Sequence, residues 1–439
     1  MPATRLPGSL RVLLGASFVS SIGSGLTLPF LVIYLHQVRH IPLSVAGLLI
    51  GAMAVLALPV GPWAGALVDR FGARAVLLVA LCLEGLGIAS LATIHSSLSA
   101  IPAMFIYGLG QAAGWSTWNA LLGVMVGNEA VSRLAFARNF QLLNLGLGMG
   151  AVIGGLVVHV RDPGSFVAIY LVDGCSNLVV VAALVLLRAT AFHPVGNVEA
   201  ASKSGTQRED AQGHEPRLGY RAVFADGLFR RYALTLTLLM LAGYGALNTG
   251  FVGFATSVAK VGPDTIAIAY AANTFFIVVS QPLALRLCAR MRRSTALKTV
   301  AGAFAASWVV LGLSGLVPGS RASIALVITT PAVFAIGEVF LSPVNGPLVN
   351  DLAPAALRGR YFAASSMCFT VANIVSPAIS GAAIGAGLGQ FLLAGFVAVC
   401  GAAGFGAHRL GRALTAHQDN VREARAPLGP GPEGDTRCS

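Results

Sequence analysis

The sequence predicts an all-α polytopic membrane protein, with twelve transmembrane helices in two pseudo-symmetric six-helix halves. Three observations carry that expectation. Of the 439 residues, 56% are apolar and only 10% charged, and the mean hydropathy is +0.77, which is not the composition of a water-soluble domain. Twelve apolar stretches, each near the roughly 20 residues that a helix needs to cross a bilayer core, follow one another with short polar or Gly/Pro-marked breaks. The longest polar interruption, Arg188 to Arg230, divides them six and six.

The stretches fall near residues 10–36, 42–66, 75–94, 98–127, 139–160, 165–187, 231–256, 263–288, 295–317, 322–349, 361–386 and 388–408, numbered here as spans 1 to 12. Span 1, "LRVLLGASFVSSIGSGLTLPFLVIYL", follows Arg5 and Arg11 as a signal peptide would. It is too long for one and lacks a small-x-small cleavage site, so it reads as retained. "AVLLVALCLEGLGIASLATI" in span 3 is apolar on every side, which excludes the alternation of a barrel strand. The expected organisation is an N-terminal half (1–187), a cytoplasmic linker (188–230), a C-terminal half (231–410) and a cytoplasmic tail (411–439). The linker centre, "EAASKSGTQREDAQGHEPR", has the composition of a disordered segment.

Basic residues give the orientation, because cytoplasmic loops hold the excess. Only Arg39, Arg161, Lys260 and Arg321 fall in loops opposite the termini, so 25 of the 29 lysines and arginines share the side of the termini. Both termini are therefore expected in the cytoplasm. The +12 net charge follows from this topology, with weak attraction to anionic lipid, and no aromatic-interleaved basic patch suggests nucleic acid. Cys82, Cys175, Cys288, Cys368 and Cys400 lie inside spans and Cys438 in the tail, so neither a disulfide nor a metal site is expected. Heavy use of Arg, Ala and Gly with little Lys hints at a GC-rich bacterial genome, placing the chain in a bacterial cell membrane.

The two halves are echoes of each other at an offset of 220 to 227 residues. "GPWAGALVDRFGAR" after span 2 lies over "QPLALRLCARMRRS" after span 8, matching Pro62 with Pro282, Ala64 with Ala284, Leu67 with Leu287 and Arg70 with Arg290. Ala289 stands opposite Asp69, so the second copy has lost the acid. "GLGQAAGWSTWN" in span 4 lies over "AIGEVFLSPVN" in span 10, so that Gly110 meets Gly337, Gln111 meets Glu338 and Asn119 meets Asn345. "GAVIGG" in span 5 likewise meets "SPAISG" in span 11.

Two parallel six-span halves joined by a cytoplasmic linker resemble the major facilitator superfamily. The resemblance covers the whole chain, since "LAPAALRGRYFAAS" also looks like the family's loop between spans 10 and 11. The family's signature between spans 2 and 3, G-x-L-x-D-R-x-G-x-R/K, is met by Gly65, Leu67, Asp69, Arg70, Gly72 and Arg74. The resemblance implies a conformational latch: Gly65 lets span 2 approach a neighbour closely, and Asp69 faces the positive end of span 11, which starts at Arg358 to Tyr361. The competing reading is a solvated turn whose arginines obey the positive-inside rule.

A second family signature, G-x-x-x-G-P-x-x-G-G in the exporters' span 5, is approached by Gly146, Gly150, Gly154 and Gly155, with Ala151 in place of the proline. It points to efflux, or else to plain helix packing. Met104 stands where the family's drug–proton antiporters carry an arginine in span 4, which weakens proton antiport more than export.

Acids inside spans mark function by default, because their burial is costly. Glu338 in span 10, with Ser342 and Asn345 on its face, is the first candidate for taking up and releasing a proton; its alternative is a structural hydrogen bond to a neighbouring helix. Asp173 and Glu84 follow, on helices that the family places at the periphery. Gln111, Trp115 and Trp118 share a stripe of span 4 with Asn119 close by, an aromatic and amide wall suited to a bulky, partly apolar, cationic ligand, or to inter-helix packing. Phe30, Tyr34, Asn248, Phe251 and Asn345 are further candidates for the cavity wall.

No phosphate-binding loop and no nucleophile–base set is present, so the expectation is not an enzyme and not an ATP-driven pump. It is a secondary transporter alternating access around a midplane site, exporting drug-like or secondary-metabolite molecules on the proton gradient, with no bound cofactor. Its expected partners are a small-molecule substrate and the lipid bilayer, without nucleic acid, and it is expected to act as a monomer. The alternatives are a proton-coupled importer of a small nutrient and a non-transporting sensor or scaffold on the same fold.

Overall fold

The computed structural model describes residues 6–125, 129–187, 220–354 and 357–420, and among these it holds helices and turns but no strand. Span 1 is Gly8–Val38, span 2 Leu43–Phe71, span 3 Ala73–Leu91, span 4 Ser97–Met125, span 5 Glu129–Val157 and span 6 Pro163–Leu186. Span 7 is Gly227–Ser257, span 8 Pro263–Cys288, span 9 Arg293–Ser314, span 10 Arg321–Leu352, span 11 Arg358–Gly385 and span 12 Gly389–Gly411, with a short helix, Tyr220–Ala225, before span 7. Eleven of these are long and apolar enough to cross a membrane. Ser97–Met125, 29 residues long, packs against spans 2 and 3 and completes the twelve. Span 5 starts ten residues before the expected edge, because the polar run Glu129–Arg138 stays helical where it need not be apolar. The expected disorder of the linker centre lies outside the described residues.

Local chemistry sets where the helices break. Span 1 tightens into a 3-10 turn at Leu28–Phe30, where Pro29 removes a backbone donor, and widens into a π turn at Tyr34–Val38. Span 7 repeats the pattern, with a break at Ala242–Gly243 and a π turn at Leu247–Phe251. The Ala242 carbonyl left at that break accepts the Trp308 Nε1–H at 2.6 Å, so the opened turn stays satisfied. Asp162, Asp226 and Ser320 cap spans 6, 7 and 10. Only Gly72 separates spans 2 and 3, at φ 80°, a conformation that a side chain disfavours. The motif's second glycine is therefore what allows the immediate reversal.

Among the described residues, the close glycine contacts between the two halves gather at one end. Spans 2 and 11 cross so closely near Gly47 and Gly381 that a side chain on Gly47 would collide with the Pro377 carbonyl, and Gly51 packs on Ile374 in the same way. Span 5 meets span 8 through Gly155 against Ala267 and Gly148 against Thr274. All these residues lie toward the side opposite the termini. One apolar core accordingly runs from the C-terminal half into the far end of the N-terminal half, through residues such as Phe30, Leu43, Tyr107 and Phe166. The termini-side end of the N-terminal half keeps a separate core around Leu13, Leu77, Leu121 and Leu184. Among the described residues no such glycine contact joins the halves on the side of the termini, where the end of span 2 is exposed, so the halves stand apart there.

That side carries a bracket. Span 9 is preceded by Arg292 in the N-cap position, which offers no side-chain cap. Instead Asp419, 2% exposed, accepts from the Ser294 amide at 2.8 Å and the Ser294 hydroxyl at 2.9 Å. Asn420 donates to the Cys288 and Met291 carbonyls, and Arg293 pairs with Asp351 at 2.7 Å. The segment after span 12 thus joins the ends of spans 8, 9 and 10. Asp419→Ala is expected to lower stability by about 1–2 kcal/mol, the usual range for a lost helix cap, measured as thermal unfolding in detergent. An unchanged melting temperature would show that the bracket adds nothing.

Candidate functional site

Glu338 is the centre of the site. It stands in the middle of span 10, 9% exposed, and its Oε2 accepts the Asn273 Nδ2–H of span 8 at 2.7 Å. The same amide donates to the Pro331 carbonyl at 2.9 Å, so Asn273 holds two points of span 10 together. The Tyr244 hydroxyl of span 7 stands beside the carboxyl, and Tyr270 of span 8 is within reach of its charge. The Tyr270 hydroxyl itself donates to the Leu247 carbonyl and to Asn248 Oδ1, both at 3.3 Å. Among the described residues the ion pairs gather at Asp351, near the termini-side end of span 10, and none involves Glu338. A carboxyl there, without a cation and held by neutral amide and hydroxyl groups, is suited to gaining and losing a proton as its surroundings change.

Glu338 therefore does make the hydrogen bond to a neighbouring helix that was its alternative reading, and the two readings are compatible in one site. Asn273, Tyr244 and Tyr270 were not among the expected residues. The available signal was the polar Asn273 inside an otherwise apolar span 8, "AYAANTFFIVV".

The expected cavity wall divides. Gln111, Trp115 and Asn119 are exposed along one face of span 4, Trp115 at 65%, and Asn248 is exposed on span 7. Amides exposed on membrane spans belong to the opening between the halves, because lipid offers them no partner. Asn345 is half-buried and accepts the Tyr232 hydroxyl. Trp118 is half-buried and turns to span 5, where its Nε1–H donates to Asn139 at 3.1 Å.

Three of the expected wall residues are corrected. Phe30, Tyr34 and Phe251 are all 0% exposed. Tyr34 donates to the Leu91 carbonyl at 2.6 Å, accepts from Arg39 and stacks on Phe166, sealing the far end of the N-terminal half. Phe251 packs edge-on against Tyr270 behind the wall. Aromatic side chains on a central helix need not face a cavity, and these three pack into the apolar core.

The remaining candidates are placed as follows. Gly146, Gly150 and Gly154 seat span 1, against Ser21, Gly25 and Phe30, while Gly155 meets Ala267 of the other half. Among the described residues nothing lies within 4 Å of the position of a side-chain carbon on Gly65, so they do not make the expected close approach. The Asp69 side chain lies outside the described residues. Arg70 lies over the Phe71 ring at 5.2 Å, and Arg74 donates to the Val185 carbonyl at the end of span 6 at 3.2 Å. Tyr361, at the start of span 11, donates to Asp226 at 2.8 Å. Asp173 and Glu84 stand on outer helices, yet Asp173 is fully buried and turned inward, where Thr27 Oγ1 donates to it at 2.5 Å.

A bundle of membrane-crossing helices in two echoing halves, with a buried carboxyl held among the helices of one of them, has the architecture of a transporter. The chain belongs to the Major Facilitator Superfamily, whose family model matches residues 13–377. Among curated relatives it is 24% identical over 380 residues to YqjV, an uncharacterized MFS-type transporter of Bacillus subtilis, covering 86% of each chain. It is 26% identical over 330 residues to the multidrug resistance protein MdtH of Salmonella newport, covering 75% of each. In fold it is similar to the nucleoside transporter NupG (TM-score 0.72, 13% identity, 92% of this chain and 100% of that one). A peptide transporter, POT, is likewise similar (TM-score 0.71, 15% identity, 93% and 96%).

Proposed function

We propose that this secondary transporter exports drug-like or secondary-metabolite small molecules, driven by the proton gradient. The observation that carries the reading is Glu338: a buried carboxyl without a cation, joined to span 8 by Asn273 and standing between spans 7, 8 and 10. A proton arriving there changes what Asn273 and Tyr244 can donate to, and so changes how three helices hold together. The exposed Gln111 and Trp115 across the opening give an aromatic and amide surface suited to a bulky, partly apolar ligand. With the basic residues marking the side of the termini as cytoplasmic, the opening faces the cytoplasm, the state in which an exporter loads. The multidrug resistance name of the MdtH relative supports the direction and the ligand class.

The test is growth of a susceptible bacterium expressing the chain across a panel of toxic compounds, with accumulation measured with and without a protonophore. Protection against several compounds, with reduced accumulation that collapses on adding the protonophore, is expected. Increased accumulation would identify an importer and sink the export reading.

The latch gives a second expectation. Asp69→Asn removes the charge proposed to engage the start of span 11 when the termini side closes. Transport is expected to fall about tenfold or more, equivalent to roughly 1.4 kcal/mol in the rate-limiting barrier, at equal expression. Because Ala289 stands at the equivalent place, Ala289→Asp is not expected to rescue the variant. Unchanged transport in Asp69→Asn would remove the latch.

A further inference from the structure

Spans 3 and 6 cross backbone to backbone. A side-chain carbon on Gly85 would lie 2.9 Å from the Gly174 carbonyl oxygen, and one on Gly174 would lie 2.8 Å from that of Gly85. The residues just before these two glycines are Glu84 and Asp173, so the crossing brings two acids into one region of the bundle, with Glu84 within reach of the Asp173 charge. Span 4 closes one side, with Gly110 against the Glu84 backbone and the side-chain position of Gly114 3.3 Å from Glu84 Oε2. Span 1 closes the other, where Thr27 binds Asp173 and the space over Gly23 is filled by Asp173 Oδ1 and the Ser176 hydroxyl.

Among the described residues no ion pair involves either acid. The polar groups that face them are Thr27 on span 1, Tyr107 on span 4, and Tyr170, Ser176 and Asn177 on span 6. Tyr34 stands behind Tyr170, and Arg39 beyond it is engaged at the far end by the Tyr34 hydroxyl and the Ala92 carbonyl. Neighbouring carboxylates inside a helix bundle resist both being charged without a cation, which favours one proton for the two. The surroundings also hold donor capacity in reserve. The Tyr170 hydroxyl and Asn177 Nδ2, on residues 0% and 3% exposed, have no hydrogen-bond partner among the described residues, and Tyr170 is within reach of Asp173 and Tyr107. Tyr107 leads outward, because its hydroxyl accepts from Gln111 Nε2 at 3.2 Å and Gln111 is exposed to the opening between the halves.

We propose that Glu84 and Asp173 share a proton as a second proton-binding site, inside the N-terminal half, which exchanges with the central opening through Tyr107 and Gln111. The other half has no such pair: Gly337 packs on the Phe304 ring where its counterpart Gly110 packs on Glu84. The proposal deepens the proton-driven reading and rests on it for its role in transport, but the site itself is measured without transport.

The experiment is infrared titration of the full chain in detergent, in water and in deuterium oxide, following the carbonyl stretch of protonated carboxyls. A band near neutral pH is expected in Glu338→Gln, where the central carboxyl no longer contributes, and its loss when Glu84→Gln and Asp173→Asn are added to that background. In each single variant the two-step titration of the coupled pair collapses to one step, which keeps the test valid if the double variant does not fold. Tyr107→Phe is expected to keep the band but slow its exchange with deuterium by about tenfold. Single variants that titrate as the wild type does, or exchange in Tyr107→Phe at the wild-type rate, would overturn the proposal. A wild-type band together with export indifferent to a protonophore would instead sink the proton-driven reading and leave the site standing.

Discussion

Glu338→Gln is expected to bind substrate in detergent nearly as the wild type does, yet to lose proton-gradient-driven flux in proteoliposomes. The substitution is close to isosteric and makes position 338 match its counterpart Gln111. A glutamine can keep its carbonyl toward Asn273 Nδ2, so folding changes by no more than about 1 kcal/mol. What it cannot do is alternate between a neutral and a charged form. If the proton site lies here, the variant holds one arrangement of Asn273 and Tyr244 whatever the pH on either side, and the gradient no longer biases which side opens. If Glu338 only ties span 10 to span 8, glutamine preserves most of the tie and coupled flux survives. Retained coupled flux would therefore eliminate Glu338 and leave Glu84 and Asp173 as the carriers.

The difference between what the sequence disclosed and what it concealed is instructive at Glu338. Its candidacy was legible because an acid in an apolar span is costly and because the repeat set it opposite Gln111. Its partners were not legible, since Asn273 lies 65 residues away and Tyr244 nearer the start of the same half, and helix-to-helix pairing leaves no periodic trace in such Gly/Ala-rich text. The twelve spans were readable for the opposite reason: each is a local property of about 20 consecutive residues. Phe30, Tyr34 and Phe251 failed as wall residues because membership of a central helix does not say at which depth the cavity ends. Glu84 and Asp173 ranked behind Glu338 because their helices are peripheral, but the touching glycines beside them, Gly85 and Gly174, bring the two acid-bearing turns together. The bracket at Asp419 was hidden in the same way, because its cap acts on a helix start 125 residues away.

Gly47→Leu is expected to abolish most transport without unfolding the chain, because it acts on the equilibrium between the two open forms. In this structure the far side is shut where spans 2 and 11 touch, and the position of a side-chain carbon on Gly47 is already occupied by the Pro377 carbonyl, with Gly381 Cα 3.0 Å away. Neither obstacle is the flexible tip of a side chain, so the helices themselves must part. Forcing extra methylenes into a packed contact costs about 1–3 kcal/mol. Applied to one of two states, that cost shifts their ratio about 5- to 150-fold, away from the form open on the side of the termini. Gly395→Leu on span 12 is the control, since nothing lies within 4 Å of its side-chain position and it is exposed. The measurement is labelling of Asn248→Cys in a cysteine-depleted background by a membrane-impermeant reagent. Labelling from the far side is expected to rise in Gly47→Leu and to stay at background in Gly395→Leu, and Gly381→Leu is expected to repeat the effect from the partner helix. If Gly47→Leu transports normally, or labels only from the side of the termini, the contact between spans 2 and 11 does not close the far side.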